Sequence, residues 1–329
     1  MSAGTELARI PPQERDIHTR PHDFFPDLLR RAQNPDGGWG YRQGLQSTAE
    51  PTAWSVLALL AHEGSSDAVI SSACDWLRRT QRDEGAWPTS SGKEPGCWVT
   101  ALACLALADA ATDPGGAISR GTKWLCETWP AEGNLVWRLR QLRQEKSELV
   151  VHQDHSLRGW GWTPNTSSWV EPTAYVMIML QNLRSDLCPP QAARRMQLAE
   201  QMLYDRACPG GGWNAGNPLV YGVPGAPRIG PTAWALLALR QHPKHSAVLE
   251  GLEWLEEHYQ NPRSAASLAL TQLCLKAFSL PTRPIEDALY DFYRGSEFLQ
   301  SVPVVAWASL ALGELPRWLE SSSPARGVK

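Results

Sequence analysis

One heptad occurs twice. Gln33-Asn34-Pro35-Asp36-Gly37-Gly38-Trp39 and Gln81-Arg82-Asp83-Glu84-Gly85-Ala86-Trp87 both fit Gln-x-x-x-Gly-x-Trp, 48 residues apart. Each follows a helical run ending in basic residues and precedes a Pro-led apolar helix. A repeat of this period confines the chain to stacked or closed arrays of one supersecondary unit. A single unit cannot bury its apolar face alone, so its neighbours must do so.

The apolar stretches have helical spacing and alternate with Gly/Pro/Asn/Asp loops. Pro51 to Ala61 is apolar nearly all round, which marks a helix buried on every side. Similar helices are expected from near Pro95, Pro172, Pro231, Ser264 and Pro303. Amphipathic helices with charged faces are expected near 24–33, 68–81, 117–128, 190–206, 246–260 and 286–300. Six outer and six inner helices make six hairpins, and the expected fold is all-α, an (α/α)6 toroid. An open solenoid would need polar end caps, whereas the last inner helix, Val302 to Leu312, is apolar nearly all round. The best strand candidate is the short run Leu149-Val150-Val151, and Asn134 to Glu148 reads as an inserted helix. Insertions in the third and fourth repeats, the latter Gly210 to Gly230, enter inner helices and should cover one end of the ring. The toroid is expected over residues 21–318, with flexible segments at 1–20 and 319–329.

Of 329 residues 43% are hydrophobic, enough for a large core, and a net charge of −3 gives no electrostatic case for nucleic acid. Seven cysteines without zinc-type spacing read as reduced thiols, which suggests a cytoplasmic setting. No apolar run is long enough to span a bilayer, and neither a secretory leader nor a transit peptide is recognisable. Sixteen tryptophans require a reason.

A second motif opens the inner helices. Glu50-Pro51-Thr52-Ala53-Trp54 returns as Glu171-Pro172-Thr173-Ala174-Tyr175, with variants at Glu94-Pro95-Gly96-Cys97-Trp98 and Gly230-Pro231-Thr232-Ala233-Trp234, and a looser form from Pro303 to Trp307. Proline at the first helical position and an acid beside it suit a helix N-terminus. The recurring aromatic goes beyond that. Glu50 and Trp54 share a helix face, as do Glu171 and Tyr175. If the inner helices ring a cavity, Glu50, Glu94 and Glu171 stand at its mouth over a belt of Trp54, Trp98, Tyr175, Trp234 and Trp307, able to stack an apolar ligand or a cation. The alternative, that these rings pack as core between the layers, stays open at this point. In the third insertion, Asp154 and His155 are reserve acid/base candidates beside His152, with a solvated loop as the plainer reading. No metal-site spacing, diphosphate–magnesium motif, Walker loop or dinucleotide fingerprint is present, and no metal or cofactor is expected.

The heptad resembles the repeat of squalene–hopene cyclases, oxidosqualene cyclases and protein prenyltransferase β-subunits. The resemblance is complete at Gln33/Gly37/Trp39 and Gln81/Gly85/Trp87, and partial at Gly211/Trp213 and Gly159-Trp160-Gly161-Trp162. It implies a toroid that acts on or binds an isoprenoid, and it leaves room for a partner subunit. In squalene–hopene cyclases the same helix start carries an Asp-x-Asp-Asp-Thr-Ala acid motif. Trp169-Val170-Glu171-Pro172-Thr173-Ala174 is its counterpart, with Glu171 in place of the central acid and Trp169 and Pro172 in place of its flanking acids. A lone buried glutamate is too weak an acid to protonate an alkene, but it suits milder acid/base work. The expectation is therefore a cytoplasmic, terpene cyclase-like protein, open to association with a membrane surface, holding an isoprenoid or other apolar ligand in a central cavity. Glu171, Glu50 and Glu94 are its candidate acids, and Trp54, Trp98, Trp169, Tyr175, Trp234 and Trp307 its candidate ligand contacts. A noncatalytic toroid that binds a partner or peptide, and a carbohydrate-active toroid, are the alternatives.

Overall fold

The computed structural model describes residues 23–62, 67–90, 94–111, 113, 115–133, 153–259 and 264–320. The expected segment 1–20, the helix 134–148, the strand 149–151, His152, Gln260 to Pro262 and most of the tail 319–329 lie outside the described residues.

Among the described residues twelve α-helices alternate between two layers. The outer layer is α1 (Phe24–Ala32), α3 (Ala68–Thr80), α5 (Ala117–Glu127), α7 (Ala192–Asp205), α9 (Ser246–His258) and α11 (Arg283–Ser296). The inner layer is α2 (Ala49–Leu60), α4 (Val99–Asp109), α6 (Val170–Asn182), α8 (Ile229–Ala238), α10 (Ala265–Ala277) and α12 (Val302–Leu312). Successive inner helices pack side by side from α2 round to α12, and α12 packs back on α2, so the ring is closed. Helix α1 lies mainly on α12, which ties the first hairpin to the last. The structure is the expected all-α toroid of six hairpins.

The helix layers follow from their residues. Pro51 through Leu59 and Pro172 through Leu180 are buried without a break, because both ring neighbours and an outer helix cover each inner helix. The outer helices bury one stripe each, such as Phe25 and Leu29 on α1, and Ile70, Ala73 and Leu77 on α3. Each such side chain stabilises the fold by roughly 1.5–3 kcal/mol.

The two ends of the ring differ. The long loops gather where the inner helices begin. One of them holds a short hairpin, β1 (Leu219–Val220) with β2 (Val223–Pro224), turned at Tyr221-Gly222, where both residues have positive φ. Strand pairs of two residues leave no periodic signal, so the sequence reading missed them. The other end is closed by the turn Arg317–Leu319. Trp318 and Leu319 are buried there, and both Asn182 Nδ2 and Arg240 Nη2 donate to the Trp318 carbonyl at 2.9 Å.

Candidate functional site

The geometry starts at the repeat joint. The Trp39, Trp87, Trp160 and Trp213 indoles donate Nε1–H to the carbonyls of Leu29, Leu77, Leu125 and Leu203 at the end of the preceding outer helix. Their backbone N–H groups donate to the hydroxyls of Thr52, Thr100, Thr173 and Thr232 at 2.9–3.0 Å. Gln33 Nε2 donates to Gly37 O and Val69 O, and Gln81 Nε2 to Gly85 O and Ala117 O, tying each turn to the next outer helix. The Gln, Gly and Trp of the heptad are therefore spent on the joint.

The four threonines also set the register of the inner helices. Thr52, Thr100, Thr173 and Thr232 are equivalent, so Glu50, Trp98, Glu171 and Gly230 are equivalent, as are Trp54, Leu102, Tyr175 and Trp234. This corrects the second variant of the helix-start motif. Helix α4 begins at Val99, not near Pro95, and Trp98 stands where α2 and α6 place an acid. Glu94 lies ahead of the helix, is exposed, and accepts from Thr89 Oγ1 at 3.0 Å.

The belt residues point inward and meet. Trp54 and Trp234, on opposite sides of the ring, have centroids 5.3 Å apart. Tyr175 packs on both, at 6.1 and 4.8 Å, and Trp307 packs on both, at 5.8 and 6.4 Å. Trp98 stacks on Tyr175 at 5.1 Å. The expectation of a hollow axis is corrected here. The rings lie on the axis, one of the two readings the sequence left open, and at their level Trp54, Tyr175, Trp234 and Trp307 pack across the narrow centre and close it. Offset and edge-to-face pairs of this kind contribute about 0.5–1.5 kcal/mol beyond burial. Trp169 caps α6 instead, half-buried, with its N–H donating to Trp160 O.

Two carboxylates stand one helical turn above the cluster. Burial pushes Glu50 above the usual carboxyl range, opposed by a hydrogen bond donated by the Tyr41 hydroxyl. Burial likewise raises Glu171, opposed by the positive charge of Arg228. The Tyr175 hydroxyl is held well above its ordinary value, first by burial and then by Glu171 and Glu50, so both acids act on one point of the cluster. Burial thus makes both hold a proton more tightly than an ordinary carboxyl group, the direction that acid/base work on a heteroatom calls for.

Beside the axis, a shallow dip open to solvent, with enclosed room of about 10 Å³, lies among α4, α5 and α6. Its walls are Trp98, Trp124, Trp129 and Trp160, with Pro130, Pro164, Cys97, Leu125 and Val176 among the rest. Trp98 also meets Trp162 edge-on at 5.2 Å.

The reserve pair sits elsewhere. Asp154 is exposed and its N–H donates to Asp205. Arg206, fully buried, reaches Asp205 at 3.4 Å and helps to lower the pKa of His155, after burial itself. The charges acting on His155 are Arg206, Glu132, Asp154 and Asp205, without Glu50 or Glu171. Among the described residues no three His, Cys, Asp or Glu side chains are grouped as a metal site would need.

Sequence reading missed Arg195. It is buried between the Trp129 and Trp160 rings, at 4.1 and 4.3 Å, and donates to the carbonyls of Cys126, Thr128 and Gly159. A signal existed. Gln33 and Gln81 stand four residues past the anchoring leucine, and Trp129 holds that place after Leu125. At this joint the donor is a cation from the next outer helix, Arg195 of α7.

Residues 24–98, the first hairpin and the outer helix of the second, match the model of the squalene-hopene cyclase C-terminal domain. No curated protein sequence matches the chain. Among solved structures the fold is similar to a protein from Actinoplanes, with 16% identity, 89% of this chain and 98% of that one covered, and TM-score 0.58. It is similar to a variant of the type II terpene cyclase MstE from Scytonema, solved with merosterolic acid A, with 13% identity, coverage of 88% and 96%, and TM-score 0.54. It is also similar to an alpha-amylase from Clostridium perfringens, with 9% identity, coverage of 87% and 95%, and TM-score 0.58. The terpene cyclase-like toroid is thereby shown as a fold, one that this amylase shares.

Proposed function

We propose that this protein is a terpene cyclase-like binder of an isoprenoid or other apolar ligand at the loop-covered end of its ring, with Glu171 and Glu50 available for mild acid/base chemistry on it. The observation that carries the reading is the pair of burial-raised carboxylates standing over an axial cluster of Trp54, Tyr175, Trp234 and Trp307. The solved MstE complex with geranylgeranyl dihydroxybenzoate as substrate supports isoprenoid chemistry on a similar fold. The squalene–hopene cyclase pattern over residues 24–98 supports it in sequence.

Glu171 is the first candidate acid, because Gly230 leaves the space beside its carboxylate open. A Cβ on Gly230 would lie 3.8 Å from Glu171 Oε1. Glu50 is the second, and Glu94 is peripheral. Mass spectrometry of the purified protein should find a bound apolar molecule. Incubation with squalene or prenyl diphosphates should yield a product whose formation Glu171→Gln cuts at least tenfold. An empty protein that binds none of these would sink the reading.

The filled axis favours a second reading, a noncatalytic toroid that holds its ligand without turnover. Ligand recovery without any product, unchanged in Glu171→Gln, would establish that reading. A protein partner seated on the same end would be recovered by affinity purification as a stoichiometric second chain.

A further inference from the structure

We propose that the turn Glu297–Gln300, between α11 and α12, is a latch on the candidate site. Held in left-handed backbone by Phe298, it fixes the start of α12 and Tyr41 beside Glu50, and its release admits the ligand. The proposal rests on the apolar-ligand function above and names what controls access to that site. Access needs a moving part, because the Trp54, Tyr175, Trp234 and Trp307 rings close the axis at their level.

Glu297, Phe298, Leu299 and Gln300 have φ of +46°, +50°, +52° and +58° in succession. In this region a Cβ crowds the following carbonyl oxygen, so residues that carry one enter it singly, not in runs. Among the described residues the others that do so, Ala111, Asn165, Tyr221 and Ser279, are each single. A run of four persists only because its surroundings hold it. The holder is Phe298. It is buried, its ring stacked on Phe25 of α1 at 5.6 Å and edge-on to Tyr293 of α11 at 5.2 Å. Its N–H donates to Ser296 Oγ at 3.2 Å, and its carbonyl accepts the Ser301 N–H at 3.0 Å. Leu299, the next residue, is exposed, so one seated ring anchors the turn.

The turn leads directly into the site. Val302, the first residue of α12, donates its N–H to Tyr41 O at 3.0 Å. The Tyr41 hydroxyl in turn donates to Glu50 Oε2. The same helix carries Trp307, one of the rings that close the axis against Trp54 and Trp234. Unseating Phe298 lets the four residues relax to right-handed backbone, parts Val302 from Tyr41 and uncovers Glu50. Backbone strain favours release and the burial of Phe298 opposes it. A ligand that fits only the released state shifts the population toward that state.

The test combines amide hydrogen exchange with calorimetric titration of the intact protein, with farnesol as the probe. Leu299→Gly removes a Cβ that left-handed backbone penalises, which favours the latched state. It should slow exchange of the Val302 amide about fivefold and weaken farnesol binding by a similar factor. Phe298→Ala empties the anchor and should do the reverse, with exchange at Val302 at least tenfold faster and farnesol bound more tightly. Leu249→Gln, on the outer face of α9, should change neither. Circular dichroism checks that each variant is folded, and if Phe298→Ala is not, Leu299→Gly decides alone. Equal farnesol affinity in the unaltered protein and Leu299→Gly, or Val302 exchange indifferent to that change, overturns the latch and leaves the proposed function standing. Failure of farnesol, squalene and prenyl diphosphates all to bind overturns both.

Discussion

Thr52 shows how much one hydroxyl organises. It accepts the Trp39 N–H at 2.9 Å and donates to Thr48 O at 2.7 Å, linking the heptad to the first turn of α2. Thr52→Ala leaves a buried N–H unpaired and should cost about 1–3 kcal/mol in urea unfolding, with Thr52→Ser recovering most of it. Asp109, at the end of α4, behaves differently. Burial raises its carboxyl to about 6, against the pull of Arg317. The folded state therefore holds this proton more tightly than the unfolded chain does. The resulting stability is present below the unfolded value of about 4 and declines as pH rises to about 6. Asp109→Asn should accordingly stabilise the protein by about 1–2 kcal/mol at pH 7.5 and give no gain at pH 3.5, measured by denaturant unfolding at both.

At the scale of elements, the joint between hairpins decides the packing of neighbouring outer helices. Gly37 has φ +92°, and a Cβ there would sit 2.7 Å from the Ser72 carbonyl of α3. Gly85 repeats the arrangement, with φ +95° and 2.7 Å to Arg120 O. Gly37→Ala should cost about 2 kcal/mol or more through strain and clash together, visible as a lowered melting temperature. The helices and their layers were legible in the sequence because apolar periodicity separates an all-round buried helix from a striped one. The register of α4 was not. Proline and aromatic residues at Pro95 and Trp98 imitate the motif, and only the Trp87 N–H on Thr100 reveals that the helix starts later.

For the whole molecule, closure is the central fact, and it turns on α12 meeting α2 and on the aromatic centre they share. Trp234→Ala should remove about 3–5 kcal/mol and leave an axial void. Added indole should restore part of the loss, read as a concentration-dependent rise in melting temperature.

By itself the sequence determined the class of architecture, the number of hairpins and which aromatic residues recur at the starts of the inner helices. Each of these depends on local periodicity or on a repeated motif. It determined neither which way the aromatic belt faces nor the state of the axis. Whether facing rings leave a hole depends on the ring's width, which is set by packing between helices distant in the chain. Trp129 and Arg195 likewise became partners only when the closed ring set α5 against α7, because nothing within either segment encodes the other's position.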